Sequence, residues 1–189
     1  MSDVTCKIET LQARDHRVTV GRFTYGNPRL MLWNDDDRIE IGAFCSIADD
    51  VTILGGGEHN THWVTTYPLR VAFGDPLAWK DGHPPVGSAV IGNDVWIGFG
   101  ATLLSGAVIG DGAVIGARAV VAGKIPPYAV VVGSPASVRR FRFAPPQIEA
   151  LLQIRWWNWP IERILEFSAL LSSPDIDAFI AAARKVRHA

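Results

Sequence analysis

A six-residue repeat is the feature of this sequence that most restricts its fold. Six successive sextets cover residues 89–124, and the third position of every sextet is a large aliphatic residue. These residues are Ile91, Ile97, Leu103, Ile109, Ile115 and Val121. The first position is always Ala or Val, and the fourth is Gly in four of the six sextets. The same phase recurs over residues 39–53 and, more faintly, over 18–21.

A period of six residues is typical of a hexapeptide β-helix, in which each sextet is one short strand and one turn. Three strands complete a coil of 18 residues, and stacked coils bury a continuous core that no single coil could bury alone. We expect the first and third positions to point inward. Glycine at the fourth position would relieve crowding at the turn, with positive φ as a second reason for it. The repeat therefore predicts an all-β solenoid.

Charge and composition exclude several classes of function. The 189 residues have a net charge of −1, so no field of one sign favours nucleic acid or an anionic membrane as a partner. No apolar run reaches the roughly 18 residues of a membrane span, and the N-terminus lacks a secretion signal, so we expect a cytoplasmic protein. Two cysteines, Cys6 and Cys45, form no disulfide framework or zinc motif, and Cys45, at a small inward position, is expected to be a packed thiol.

Two segments interrupt the repeat, at residues 26–38 and 54–88. The second is too long for an ordinary loop, and it is rich in histidine and aromatic residues: His59, His62, Trp63, Tyr67, Trp79 and His83. Disordered segments are poor in aromatics, so we expect an ordered loop that carries a site. The repeat ends at Pro126-Pro127 and helical spacing follows Pro145. We therefore expect a β-helix domain over 1–143 and a helical region over 144–189.

Several phrases resemble a known family. Residues 91–98 (IGNDVWIG) and 125–136 (IPPYAVVVGSPA) resemble the hexapeptide-repeat acyltransferases. Residues 41–47 (IGAFCSI), 66–68 (TYP) and 154–160 (IRWWNWP) are similar to its xenobiotic acetyltransferase subgroup, which includes type B chloramphenicol and streptogramin (virginiamycin-type) acetyltransferases. The resemblance implies a left-handed parallel β-helix with a C-terminal helical region. It also implies a homotrimer in which acetyl-CoA and a small-molecule acceptor meet in clefts between subunits, with no metal.

The resemblance further implies direct transfer of acetyl from coenzyme A to the acceptor, with a loop histidine as general base. The loop phrase Gly56-Gly57-Glu58-His59-Asn60 assigns this role to His59. Imidazole suits the role because its unperturbed pKa of about 6.5 lies near neutrality. We expect a carbonyl or a carboxylate, with Glu58 and Asp49 as candidates, to hold the second ring nitrogen.

The same matching gives the remaining site residues. Those expected along coenzyme A are Gly98, Phe99, Gly116, Ala117 and Ala122, with Arg140 near the nucleotide phosphates. Those expected near the acceptor are Tyr25, Trp33, Tyr67 and Trp96, although packing explains each of them about as well. The family's usual Thr-Lys phrase is replaced by Ala122-Gly123-Lys124, so Lys124 is expected to substitute from one place later.

The acceptor stays open at this point: chloramphenicol, streptogramin A and sugar hydroxyls or amino groups all suit related enzymes, so sugar N-acylation is an alternative to O-acetylation. Two further classes remain. Three histidines, at positions 59, 62 and 83, supply the number of ligands of a zinc carbonic anhydrase, but their spacing does not resemble that group. A non-catalytic scaffold is the other alternative, and the histidine-bearing aromatic loop argues against it.

Overall fold

The computed structural model describes residues 11–13, 15–75 and 87–186. Its strands in chain order are β1 Val18–Val20, β2 Arg29–Met31, β3 Ile39–Ile41, β4 Ser46–Ile47, β5 Thr52–Leu54, β6 Ala89–Ile91, β7 Trp96–Ile97, β8 Thr102–Leu103, β9 Val108–Ile109, β10 Val114–Ile115, β11 Val120–Val121, β12 Lys124–Ile125, β13 Ala129–Val132 and β14 Ser137–Phe141. The helices are α1 Leu69–Ala72, α2 Pro145–Ile154, α3 Ile161–Glu166, α4 Ser168–Leu171 and α5 Ile176–Val186, with a 3₁₀ turn at Trp156–Asn158.

The strands form three sheets that the chain visits in rotation. Sheet I has the order β1-β3-β6-β9-β12, sheet II has the order β4-β7-β10-β13-β14, and sheet III has the order β2-β5-β8-β11. All pairs are parallel except β13 with β14. In the pairs β6–β9, β7–β10 and β8–β11, the facing residues are 18 apart in sequence; Ile97 faces Ile115, and Leu103 faces Val121. The 18-residue round predicted from the repeat is therefore present as strand pairing.

One core fills the space between the sheets. The six third-position residues of the repeat are each at most 2% exposed, and the first-position residues are buried beside them. The inward alternation predicted from the sextets is confirmed. Cys45 also occupies a first position, is fully buried, and its thiol donates to the carbonyl oxygen of Gly92 at 3.1 Å. Burial raises the pKa of the Cys45 thiol to about 11, which keeps it protonated and unreactive near neutral pH.

Glycine at the fourth position of the sextet is explained by crowding alone. A Cβ on Gly42 would lie 2.4 Å from the carbonyl oxygen of Gly92, and one on Gly98 would lie 2.7 Å from the amide nitrogen of Ala117. Neither glycine has a positive φ. The left-handed conformation occurs two residues later, at Gly100 in one sextet and Arg118 in another. The second reason expected for these glycines, positive φ, is therefore wrong.

The segment 26–38 contains a strand that the sequence pattern concealed. Leu30 of β2 faces Ile53 of β5 in sheet III. Pro28 occupies the first, inward position of this sextet and is buried. The expectation that residues 26–38 interrupt the repeat is therefore wrong for β2. Proline cannot donate to the strand ladder, but Pro28 precedes the strand and leaves its pairing intact.

The C-terminal helices pack on the turns that lead from sheet I to sheet II. The rings of Phe44 and Trp156 lie 4.9 Å apart, and Arg142 donates to Asp94 at 3.2 Å. Arg22 donates to the carbonyl oxygen of Trp157 at 2.8 Å. Within the region expected to be helical, residues 161–171 form two short helices, α3 and α4, on either side of Phe167. Among the described helices, none has the length and apolar character needed to span a bilayer.

Candidate active site

The ring of His59 is oriented by the backbone of its own loop. The loop leaves sheet III after β5, and His59 lies five residues beyond its end. Its Nδ1 atom is 2.7 Å from the carbonyl oxygen of Thr66. A carbonyl oxygen only accepts hydrogen bonds, so Nδ1 carries the hydrogen. The lone pair of the neutral ring is therefore on Nε2, which is the arrangement that a general base requires.

Of the orienting groups expected for His59, the structure shows the carbonyl and neither candidate carboxylate. The hydroxyl of Ser105 donates to the Glu58 carboxylate. Asp49 lies on another turn, where its carbonyl oxygen accepts from the amide of Gly100. Thr66 and Ser105 were missed because a backbone carbonyl leaves no residue-type signal, and because a serine 47 positions away has no pattern linking it to Glu58.

Residues 55–59, which we call the stem, pack against the 26–38 segment. Asp37 accepts from the amides of Trp33 at 2.7 Å and Asn34 at 2.9 Å, which closes the tip of that segment. A Cβ on Gly56 would lie 2.3 Å from Asp37 Oδ1, and a Cβ on Gly57 would lie 2.7 Å from the Trp33 ring. The structure thus brings Trp33, expected near the acceptor, against the chain segment that carries His59.

Other predicted residues share one outward-facing row across sheet II. Tyr25 bridges to Ser46, which is paired with Trp96. The row continues through Val114 and Val130 to Arg140, which is exposed on β14. Trp96 is 57% exposed. Three strand spacings separate Trp96 from Arg140, roughly 14 Å. An aromatic face and a guanidinium therefore lie at opposite ends of one uncharged stretch.

The turns from sheet II to sheet III carry four of the predicted coenzyme residues. Gly98 and Phe99 lie one full round below Gly116 and Ala117, and the two turns are in backbone contact. Phe99 is 44% exposed, and the Arg118 guanidinium lies 5.1 Å from its ring centroid. These turns follow strands of sheet II, so the four residues lie beside the row that contains Trp96 and Arg140.

Ala122 and Lys124 do not join this group. Ala122 lies in the turn from sheet III to sheet I, one round above the turn that contains Ser105, and Lys124 is the first residue of β12, where sheet I begins. That is the same side as the His59 stem, because Ser105 binds Glu58 there. Six extended residues separate neighbouring turns, roughly 20 Å. The residues expected along coenzyme A therefore lie on two different sides of one chain.

Tyr67 lies in an exposed arm of the second loop. The exposed apolar side chains of this arm are Trp63, Val64, Tyr67, Leu69 and Phe73. Helix α1, within the arm, has no buried residue. His62 is also exposed. His83 and Trp79 lie outside the described residues. Within the described ranges, no group of three or more His, Cys, Asp or Glu side chains could hold a metal ion.

Comparison with known proteins shows which family the chain belongs to. Residues 88–123 match the family described as bacterial transferase hexapeptide (six repeats). A chloramphenicol acetyltransferase from Agrobacterium fabrum (strain C58 / ATCC 33970) is 41% identical over 183 residues, which cover 88% of each chain. The chain belongs to the hexapeptide-repeat acetyltransferases. The resemblance to their xenobiotic acetyltransferase subgroup is confirmed by this relative and by a chloramphenicol acetyltransferase from Escherichia coli, 37% identical over 187 residues, 90% of this chain and 89% of the relative.

Among solved structures, this acetyltransferase is similar to a galactoside acetyltransferase in complex with coenzyme A. The TM-score is 0.51 at 32% identity, and the match covers 67% of this chain. It covers 56% of the galactoside acetyltransferase chain, so the present chain spans little more than half of that protein.

Proposed function

We propose that this protein is an acetyl-CoA-dependent acetyltransferase that acetylates a hydroxyl group of a small-molecule acceptor, with His59 as general base. The observation that carries the proposal is the 2.7 Å contact of His59 Nδ1 with the Thr66 carbonyl, since it leaves the lone pair on Nε2. The proposal includes a left-handed parallel β-helix over 1–143, as in the family, and a helical region over 144–189.

The chemistry needs no covalent enzyme intermediate. Nε2 of His59 accepts the hydroxyl proton while the acceptor oxygen attacks the thioester carbonyl carbon. The tetrahedral intermediate collapses by breaking the carbon–sulfur bond, and the imidazolium returns its proton to the departing thiolate. The products are the acetyl ester and coenzyme A with a free thiol. Positioning of both substrates supplies most of the remaining rate enhancement.

The coenzyme is assigned to the sheet II row and the turns that follow it. Between Trp96 and Arg140 the row consists of valines, which suits the uncharged pantetheine arm. The guanidinium of Arg140 at the end of the row suits a phosphate, with which arginine forms charge-assisted hydrogen bonds. In the family, the same arm runs past residues matching Gly98 and Ala117.

Arg140→Ala should weaken acetyl-CoA binding about 10- to 100-fold, since a hydrogen bond to a charged group contributes about 1.5–3 kcal/mol. Isothermal titration calorimetry in the presence of a chelator measures the affinity. Arg139→Ala, at the neighbouring position of the same strand, is the matched control and should bind normally. Equal affinity of Arg140→Ala and the native protein would move the phosphate site, with Lys124 as the next candidate.

A complete site in this proposal needs two chains. His59 and Lys124 lie on the III-to-I side of a chain, whereas Trp96 and Arg140 lie on sheet II. The exposed apolar arm at 63–73 also needs a covering surface. A closed ring of three subunits satisfies both requirements, because each subunit then presents one side to each neighbour.

Sedimentation equilibrium should therefore give a mass close to three chains at micromolar protein concentration. Replacing the exposed Phe73 of the arm with Asp should shift the equilibrium towards monomer, because a charge would be buried at the interface. A native protein that sediments as one chain would rule out the shared site.

The acceptor class is tested by following thiol release from acetyl-CoA against a panel of chloramphenicol, streptogramin A, simple sugars and amino sugars. The proposal expects acceptor-dependent release with a hydroxyl acceptor, and product mass increased by one acetyl group. Release only with amino acceptors would favour the N-acyltransferase alternative. No release with any acceptor, together with no coenzyme binding, would favour the scaffold.

A further inference from the structure

The hydroxyl of Ser105 ties the loop that carries His59 to the repeat. Ser105 lies in the turn after β8 and is only 7% exposed, and its hydroxyl donates to the carboxylate of Glu58. Glu58 immediately precedes His59 in the chain. This bond thus connects the residue beside the base to a rigid turn one round above the point where the loop leaves sheet III.

The Ser105–Glu58 hydrogen bond is of a strong kind, because its acceptor is a carboxylate. A hydrogen bond to an ionised carboxylate is stronger than one between neutral groups, and a buried hydroxyl left without a partner is unfavourable. Both considerations favour the bonded state over one in which the stem swings away from the turn.

The stem is also held on its other side. Asp37 packs under Gly56, and the Trp33 ring packs under Gly57. Gly57 has a φ of +90°, a conformation that fixes where the chain turns outward to Glu58 and His59. The Glu58–Ser105 bond lies at the residue next to His59, so it governs the direction in which the His59 side chain projects from the stem.

We propose that Ser105 and Glu58 are positioning residues, which hold His59 in the geometry needed for proton removal without contacting the substrates. The proposal rests on the general-base role of His59. A misplacement of a catalytic group by 1 Å can cost about 100-fold in rate. Ser105→Ala and Glu58→Ala should therefore each lower kcat by roughly 10- to 100-fold.

The experiment measures kcat, both KM values and the pH–rate profile of each variant in the intact oligomer. KM for acetyl-CoA should stay within about twofold of the native value, because Ser105 lies away from the sheet II row. The shape of the pH profile should be unchanged, because the same imidazole still accepts the proton. Glu58→Gln, which retains an acceptor oxygen of similar shape, should recover much of the lost rate.

The double variant Ser105→Ala/Glu58→Ala should be no slower than the slower single variant, because both substitutions remove one bond. Thr102→Ala, an outward hydroxyl in β8, is the matched control and should have native kcat. A loss at Glu58 with native kcat in Ser105→Ala would overturn the proposal, and would mean that Glu58 acts directly on a substrate.

The His59→Ala variant distinguishes a failure of the positioning proposal from a failure of the general-base proposal. An inactive His59→Ala beside a fully active Ser105→Ala would overturn the positioning role and leave the general base standing. An active His59→Ala would overturn both. A uniform loss of oligomer mass and coenzyme affinity in Ser105→Ala, without rescue in Glu58→Gln, would show a purely structural bond and overturn the positioning role.

Discussion

Replacing His59 with alanine should lower kcat by about 10²–10⁴-fold, the usual contribution of a positioned general base. The ring nitrogen that would accept the proton is removed, while the stacked core is untouched because His59 is exposed on the loop. Oligomer mass and acetyl-CoA affinity should therefore remain close to native. Steady-state thiol release with an acceptor identified from the panel measures the effect.

His62→Ala is the matched control for this prediction. His62 lies three residues further along the same loop, is also exposed, and should contribute little to turnover. If His59→Ala retained most of its activity while His62→Ala lost it, the base would have been assigned to the wrong histidine. If both variants stayed active, neither of these two histidines would be the group that removes the proton from the acceptor.

The fold was predictable because each position of the repeat indicates whether its side chain points inward. Ala113 and Ile115 follow the same rule as their equivalents 18 residues earlier, so no tertiary information was needed to place them in the core. β2 was hidden because proline occupies the position where the pattern expects Ala or Val. The spacing of aliphatic residues predicted the C-terminal helical region. It did not predict the break at Phe167, whose ring packs against Phe179 of α5.

The sequence singled out the loop histidine of the candidate site but not the groups around it. His59 followed from a loop phrase, whereas its partner is the Thr66 carbonyl, which any residue type would supply. The division of the coenzyme residues between two sides was not predicted, although counting residues along the repeat would have shown it. Residues 98 and 116 are 18 apart and must share a side, but residue 122 is six further on and must lie on the next one.

Two inactive variants should restore activity to each other when mixed. Ala117→Trp places a large ring on the exposed turn of the coenzyme row, and His59→Ala removes the base, so each homo-oligomer should be nearly inactive. The lesions lie on different sides of a chain. The two variants are unfolded together and reassembled. A site that takes His59 from an Ala117→Trp chain and Ala117 from a His59→Ala chain then carries neither substitution.

The expected recovery is about a quarter of native activity, since about three quarters of randomly formed trimers are mixed and each holds one intact site of three. Thiol release per total protein measures it, with each variant reassembled alone as the control for refolding. Because Ala117→Trp retains His59 and His59→Ala retains the open coenzyme row, recovery requires the two groups to meet across a subunit boundary. Activity that stays at the level of the separate variants would place the whole site within one chain.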